Sequence, residues 1–149
     1  MHFDLTAVME DDIIHDAVHV IYRHNVSGVP VIDEDWKLVG YLSENDILKA
    51  SVPTYLEVLA KSSFLENGGN SLLERFKVLG KKKVSEFMNP SPIFVTPETS
   101  LMVVADLMIR KHVKRLPVTE DGKLAGMISR EAFCEFLMEE SRRTDGEKD

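Results

Sequence analysis

The sequence contains a single cysteine, Cys134, among its 149 residues. One cysteine cannot form an internal disulfide, and it cannot supply a thiolate metal site by itself, so the cysteine content fits a reducing compartment. Cys134 lies in a predicted helix beside the apolar residues Phe133, Phe136 and Leu137, and this setting predicts a small core residue. A disulfide scaffold is therefore excluded.

The chain also lacks a long apolar run, because no stretch approaches the roughly 18 to 20 residues of a membrane span. Its first residues, MHFDLTAVMEDD, are acidic where a secretory signal would be basic. The 18 Lys and Arg are outnumbered by 25 Asp and Glu, and the net charge of −7 excludes a general cationic field. We therefore expect a soluble, cytoplasmic protein that contacts neither nucleic acid nor a membrane.

Familiar catalytic signatures are missing as well. The sequence has no G-x-S-x-G nucleophile turn, no Walker phosphate loop and no dinucleotide-binding fingerprint. The sequence therefore predicts a protein without catalytic activity.

What the chain does have is an internal repeat. RHNVSGVPV at 23–31 aligns with RKHVKRLPV at 110–118, with a constant offset of 87 residues. GYLSEND at 40–46 aligns with GMISREA at 126–132 at an offset of 86, because the first copy has one more residue in the preceding turn. The two copies end differently, since Asp46 of the first corresponds to Ala132 of the second.

Each copy contains the same succession of predicted elements. A short apolar stretch of strand character (TAVM, IFVT) and a polar capping cluster (EDD, PETS) precede an amphipathic helix. Two strands joined by an acidic turn follow, and then a second helix. The pattern is β-α-β-β-α, twice. Apolar residues at i, i+3, i+4 and i+7 form one stripe on each amphipathic helix: Ile14, Ala17, Val18 and Ile21, and Leu101, Val104, Ala105 and Met108.

The segment between the copies predicts a helical insert of two runs, TYLEVLAKSSFL and SLLERFKVL. Ser71 and Glu74 have capping-box spacing at the start of the second run. One copy alone could bury little apolar surface, so we expect the two to pack on each other about a pseudo-twofold axis, as a mixed α/β (α+β) fold. The predicted domains are repeat 1 (1–51), the helical insert (52–83), repeat 2 (84–140) and a disordered tail (141–149).

VPVIDEDWKLVGYLSENDIL and LPVTEDGKLAGMISREAF resemble the cystathionine β-synthase (CBS) domain family. Both have an apolar-Pro-Val strand, an acidic turn, and Gly followed by two apolar residues and Ser. The resemblance also covers the lead-in VSEFMNPSPIFVT before the second copy, whereas the first copy lacks such a lead-in. It implies a tandem CBS pair, or Bateman module, whose clefts commonly hold AMP, ADP, ATP or S-adenosylmethionine.

In the family pattern Ser or Thr is followed, after two more residues, by Asp, and Ser43 and Asp46 match these two positions at the start of the helix after the third strand. One carboxylate can accept hydrogen bonds from both neighbouring ribose hydroxyls, so Asp46 is a candidate ribose ligand. The Ser43 hydroxyl and the nearby helix N-terminus suit a phosphate oxygen. The alternative is that the two side chains only cap the helix.

The resemblance also implies a slot for the adenine and groups for the phosphates. The base would lie between the first strand and the approach to the proline, where Ser27 and Gly28 leave room. Cations just before the second apolar-Pro step would hold phosphate, and a solvated strand edge is the alternative for them. The implied ligand residues are Thr6, Ala7, Val8, Ser27, Gly28, Val29 and Pro30 in the first copy, and Lys114, Arg115, Leu116, Pro117 and Ser129 in the second.

The hypothesis is a reversible sensor that binds one adenine nucleotide per chain, has no obligatory cofactor and signals to an unknown protein. In a pseudo-twofold pair the two clefts face each other, so a nucleotide on Asp46 could extend its phosphates toward Lys114 and Arg115. Ala132 puts ribose binding by the second copy in doubt. The apolar residues Ile13, Ile21, Tyr22, Leu101 and Leu107 predict a homodimer through helix faces.

Two other functions remain open. A scaffold with empty clefts would share the fold. A metal sensor is suggested by His15 and His19 at i, i+4, with His24 nearby, although no cysteine or carboxylate has matching spacing. Histidines exposed to solvent or in a subunit contact are the simpler interpretation.

Overall fold

The computed structural model describes residues 6–52 and 68–146. Its helices and strands confirm the predicted mixed α/β class and the repeated order of elements. In chain order they are β1 (Val8–Met9), α1 (Ile14–Arg23), β2 (Gly28–Ile32), β3 (Leu38–Ser43), α2 (Glu44–Ser51), α3 (Gly68–Leu79), a 3₁₀ turn (Val84–Glu86), α4 (Leu101–Arg110), β4 (Arg115–Glu120), β5 (Lys123–Ser129) and α5 (Arg130–Gly146).

The strand pairings repeat with the same offset as the sequence. β1 pairs in parallel with β2 through Val8 and Val31, and β2 pairs antiparallel with β3. In the second copy β4 and β5 pair antiparallel, but the predicted first strand is reduced to a single parallel bridge between Val95 and Val118. The backbone of Val95 makes two hydrogen bonds to the β4 strand there, of 3.0 and 2.9 Å.

The two hairpin turns account for the change of offset. In the first copy the Asp33 carboxylate accepts hydrogen bonds from the backbone N–H groups of Asp35 and Lys37, at 2.8 and 3.0 Å. In the second copy Asp121 and Gly122 have φ values of 54° and 81°, which is the geometry of a two-residue type I′ turn. The first turn is longer by one residue and combines these side-chain bonds with a left-handed residue, Trp36 (φ 64°).

The chain forms two compact units, and within the described residues these are 6–92 and 93–146. The core of the first unit lies between β2, β3 and helices α1 and α2, and it includes Ile14, Ala17, Ile21, Val29, Val31 and Leu42. Ile21 is only 5% exposed, so it belongs to this core and not to the exposed helix face predicted for it. The second unit has its own core around Val104, Met108, Leu116, Val118, Ile128 and Phe133.

Helix α1 begins differently from the prediction. Its N-cap residue is Ile13, without a side-chain cap, and the acidic cluster before it does not cap the helix. The first two N–H groups of α1, at Ile14 and His15, instead donate to the carbonyls of Lys82 and Gly80, at 2.8 and 3.0 Å. The turn after α3 therefore satisfies donors that a capping side chain would otherwise satisfy.

Leu101, the counterpart of Ile14, is 48% exposed, whereas Ile14 is buried. It is the first residue of α4, where Ser100 caps the helix by accepting a hydrogen bond from the N–H of Val103. In the first copy the turn at 80–84 covers the equivalent helix start, and the described residues provide no such cover over Leu101. Sequence periodicity does not distinguish these two situations.

Cys134 is exposed, contrary to the prediction of a core residue. It follows Phe133, which is buried, and adjacent helical residues point in directions about 100° apart. Only one of these two neighbours can face the core, and the larger ring of Phe133 does so.

The segment after α3 packs on the first unit. Val84 is fully buried in the first core, and its N–H donates to the Asp12 carbonyl at 2.8 Å. Further along, Tyr41 and Asn89 form an isolated antiparallel bridge. Residues 84–92, which the sequence repeat groups with the second copy, therefore belong to the first compact unit. The domain boundaries predicted from the sequence stay predictions.

The first predicted run of the insert lies outside the described residues. The second run corresponds to α3, which already includes Gly68, so Ser71 lies inside the helix and not at its cap. At the other end of the chain α5 continues to Gly146, and residues 141–146 are helical rather than disordered. Ion pairs at i, i+3 support this last part of α5, between Glu139 and Arg142 and between Glu140 and Arg143.

Candidate functional site

Several predicted ligand residues of the first copy meet at one end of the sheet. Gly28 opens β2 and is paired with Ser43, the last residue of β3. The first N–H of α2, at Glu44, donates to the Ser27 carbonyl at 2.9 Å. The start of β2, the end of β3 and the N-terminus of α2 therefore form one edge, with Asp46 in the first turn of the helix.

Ser43 and Asp46 form a reciprocal capping box at this edge. The Asp46 N–H donates to the Ser43 hydroxyl at 3.1 Å, and the Ser43 N–H donates to Asp46 Oδ2 at 3.0 Å. Both side chains therefore cap α2, as the alternative interpretation of these two residues predicts. Within the described part of the chain, the second carboxylate oxygen of Asp46 makes neither a hydrogen bond nor an ion pair.

The second copy keeps half of this arrangement. The Ala132 N–H donates to the Ser129 hydroxyl at 3.0 Å, but Ala132 has no carboxylate with which to return a bond. The first N–H of α5, at Arg130, donates to the Lys114 carbonyl at 2.9 Å, as Glu44 does to Ser27. Compared with the first copy, which has Asp46, the second copy has Ala132 and therefore lacks one capping bond and the candidate ribose ligand.

The predicted cations stand at the equivalent edge of the second unit. Arg115 opens β4 and is paired with Ser129, the last residue of β5. Lys114 is exposed and Arg115 is half-buried. Leu116 and Pro117 are fully buried, so the ligand role that the resemblance implies for them would have to come from backbone groups.

The residues predicted to line the base slot divide between core and surface. The side chains of Val8 and Val29 belong to the first hydrophobic core, and Pro30 is also buried. Thr6 and Ala7 precede β1 and are half-buried, and the Thr6 hydroxyl lies 3.4 Å from Nδ1 of His24. Ser27 is half-buried as well, so among the described residues of the predicted slot the side chains of Thr6, Ala7 and Ser27 are neither fully buried nor part of the core.

The room expected at Gly28 is already taken. A Cβ at this position would lie 2.7 Å from Cε1 of Tyr41 and 2.8 Å from the carbonyl oxygen of Leu42. These distances are shorter than real Cβ contacts, so glycine is needed here for the packing of β3 and not only for a ligand. Tyr41, one of the two residues between Gly and Ser in GYLS, is thereby a neighbour of the predicted site.

The two repeats match one known family twice. The family model for the CBS domain matches residues 1–53 and 84–139. The chain belongs to the CBS-domain family. Its two structural repeats are therefore a tandem CBS pair, as the resemblance implied.

Individual relatives agree with this assignment. The chloroplastic CBS domain-containing protein CBSX1 of Arabidopsis thaliana is 34% identical over 139 residues, which cover 85% of this chain and 56% of CBSX1. The protein MJ1426 of Methanocaldococcus jannaschii is 31% identical over 142 residues, covering 88% of this chain and 84% of MJ1426. The chain thus spans little more than half the length of CBSX1.

A solved structure shows the same architecture with a ligand. The crystal structure of CBSX2 in complex with AMP is 30% identical to this chain, with a TM-score of 0.67. The match covers 93% of this chain and 90% of the CBSX2 chain. CBSX2 is an Arabidopsis thaliana protein.

Two grooves lie on the first unit, and the second of them reaches Glu44, the first residue of α2. One of about 610 Å³ is lined by Ala50, Ser71, Glu74, Arg75, Val78, Leu79, Lys82 and Phe87. The other, of about 350 Å³, is lined by Val18, Ile21, Tyr22, Asn25, Val26, Glu44, Ile47, Leu48 and Phe76. Neither described lining contains any of the predicted ligand residues.

The histidine pair of the first CBS repeat is packed ring against ring. His15 and His19 have ring centroids 4.6 Å apart in an edge-on arrangement, and Nδ1 of His15 lies 3.3 Å from Oδ1 of Asp16. Among the described residues, no three His, Cys, Asp or Glu side chains are grouped so that they could hold a metal ion. In residues 6–52 and 68–146, no helix is long and apolar enough to cross a membrane.

Proposed function

We propose that this CBS pair is a regulatory module that binds an adenine nucleotide of the AMP, ADP or ATP class, reversibly and without turnover, and signals to a partner protein. The observation that carries the proposal is the Ser43–Asp46 pair, a carboxylate and a hydroxyl held side by side at the start of α2. The AMP complex of the related CBSX2 supports the choice of ligand class.

Capping and ligand binding are compatible at Asp46. Oδ2 accepts from the Ser43 N–H, and the other carboxylate oxygen has two lone pairs, enough to accept from both ribose hydroxyls. Ser43 accepts from the Asp46 N–H through a lone pair, so its own O–H can donate to a phosphate oxygen. The capping box then fixes both side chains before the ligand arrives, which reduces the entropy lost on binding.

The remaining contacts are assigned by the chemistry of the ligand. We propose Lys114 and Arg115, with Ser129, for the phosphates, because cations and hydroxyls make charge-assisted hydrogen bonds to them. The base is assigned to the neighbourhood of Thr6, Ala7 and the strand from Gly28 to Pro30. One nucleotide per chain is expected, since only the first repeat has the carboxylate.

Titration calorimetry with AMP, ATP, adenosine and S-adenosylmethionine tests the proposal. Asp46→Ala removes both the cap and the ligand group, so Asp46→Asn is the sharper variant: its amide oxygen can still accept from the Ser43 N–H. We expect Asp46→Asn to retain the thermal stability of the parent and to lose at least about 10-fold in AMP affinity, since charge-assisted bonds are worth about 1.5–3 kcal/mol.

Asp35→Asn, in the exposed hairpin turn, is the matched control for the loss of one negative charge. It should bind AMP as the parent does. If Asp46→Asn bound AMP as tightly as Asp35→Asn, the ribose assignment would be wrong. If the parent bound none of the four ligands, the scaffold function would be favoured instead.

A homodimer through helix faces is part of the proposal. Tyr22 is 85% exposed on α1, and Ile13 and Leu101 are also exposed, while Leu107 is half-buried. Burial of such side chains in a second copy would remove apolar surface from water. The partner protein and a cytoplasmic location remain predictions, and the relative CBSX1 is chloroplastic.

A further inference from the structure

The segment at Met88 and Asn89 is bonded to the exposed edge of the first sheet. The sheet order is β1-β2-β3, so β3 is an edge strand. The Tyr41 N–H donates to the Asn89 carbonyl at 3.0 Å, and the Asn89 N–H donates to the Tyr41 carbonyl at 2.8 Å. These reciprocal bonds fix the backbone of β3 at Tyr41 from the side opposite β2.

Met88 adds a side-chain contact one residue earlier on β3. A Cβ at Gly40 would lie 2.4 Å from Sδ and 2.9 Å from Cγ of Met88, and 3.0 Å from the Asn89 carbonyl oxygen. The thioether therefore packs directly on the Gly40 backbone. Gly40 is buried, and it permits this close approach because it has no side chain.

Tyr41 follows Gly40 on β3, and its ring lies beside Gly28 on the face of β3 opposite to Met88. Side chains alternate along a strand, so Tyr41 and Ser43 share one face of β3, while Leu42 faces the core. Cε1 of Tyr41 occupies the space beside Gly28, where the base is assigned. A base placed beside Gly28 would therefore meet this aromatic ring.

We infer that Met88 and Asn89 are positioning residues for the nucleotide slot: they hold β3 so that the Tyr41 ring closes the slot at Gly28. The inference rests on the proposed function. It also means that occupancy of the slot changes the stability of the Tyr41–Asn89 bridge, just before the chain enters the second unit at Ile93.

A double-mutant cycle tests the positioning role. Gly40→Ala inserts a methyl group against Met88, so it should shift the bridge and the Tyr41 ring and lower AMP affinity about 10-fold, equivalent to about 1.4 kcal/mol. Met88→Ala removes the clashing Cγ and Sδ atoms and leaves only the tight contact with the Asn89 carbonyl oxygen at 3.0 Å, so the double variant should recover most of the AMP affinity that Gly40→Ala loses. The effect of Gly40→Ala thus depends on Met88, which is the signature of direct coupling.

Met102→Ala, an exposed methionine of the second unit, is the control for truncation and should bind AMP as the parent does. Hydrogen exchange gives a second readout, because AMP should slow exchange at the Tyr41 and Asn89 amides of the parent and do so less in Met88→Ala. If Gly40→Ala failed to fold, hydrogen exchange in the parent and in Met88→Ala would still test the positioning role.

The outcomes separate the two proposals. Unchanged AMP affinity in folded Gly40→Ala, or a double variant no better than Gly40→Ala, overturns the positioning role alone. The same holds if AMP binds the parent but leaves the two amides unaffected. If the parent binds no nucleotide, the proposed function fails and the positioning role fails with it.

Discussion

The asymmetry between Asp46 and Ala132 makes a stability prediction that requires no ligand. Ser43 and Ser129 accept the same capping bond, at 3.1 and 3.0 Å, so the two helix starts have matching geometry. Ala132→Asp should therefore place a carboxylate oxygen near the Ser129 N–H, as Asp46 Oδ2 lies 3.0 Å from the Ser43 N–H. The substitution completes the capping box of α5.

The expected gain can be estimated from its parts. A capping interaction contributes about 1 kcal/mol. Glu135 lies three residues further along α5 and is exposed, and a like-charge pair at this spacing costs about 0.3 kcal/mol. The net gain of about 0.7 kcal/mol corresponds to a rise in Tm of about 2 °C for a chain of this size.

Urea unfolding followed by circular dichroism measures the free energy of unfolding directly. Cys134→Asp is the matched control, because Cys134 is exposed on the same helix but lies two residues beyond the capping position. A rise of the unfolding midpoint in Ala132→Asp alone is expected. An equal rise in Cys134→Asp would refute the capping argument, since the gain would then come from charge near the helix N-terminus.

Two further predictions concern binding and assembly. Arg115→Ala should weaken AMP and ATP much more than adenosine in calorimetry, because only the phosphate loses a partner; equal losses for all three would show that Arg115 does not bind phosphate. Tyr22→Asp places a charge on the 85% exposed helix position and should halve the mass of the proposed dimer at micromolar concentration, measured by light scattering. A parent that is already monomeric under these conditions would contradict the dimer.

Much of the fold could be predicted from the sequence because its helices, strands and turns are determined by neighbouring residues. The strand predicted from KLAGMIS coincides with β5, and the Asp121–Gly122 pair forms the tight turn that such a dipeptide favours. The offset of 87 residues reappears in the bridges of Val8 with Val31 and of Val95 with Val118. Periodicity and turn chemistry are properties of neighbouring residues, so one sequence is enough to recognise them.

The candidate site was predicted in part for the same reason. Ser43 and Asp46 lie three residues apart at a strand-to-helix junction, and this spacing alone brings their polar atoms together. What the spacing could not reveal is that the Tyr41 ring fills the space beside Gly28. That contact depends on the register between β2 and β3, which involves residues thirteen positions apart in the chain.

The sequence by itself determined the repeat, its order of strands and helices, and the capping geometry at Ser43, because each follows from residues close together in the chain. Only the tertiary structure decided which apolar residues are covered and which segment packs on which unit. Leu101 is exposed while its counterpart Ile14 is buried, because the turn at Lys82 covers one helix start. Met88 packs on Gly40 across 48 residues of chain, and no local pattern encodes a contact between segments so far apart.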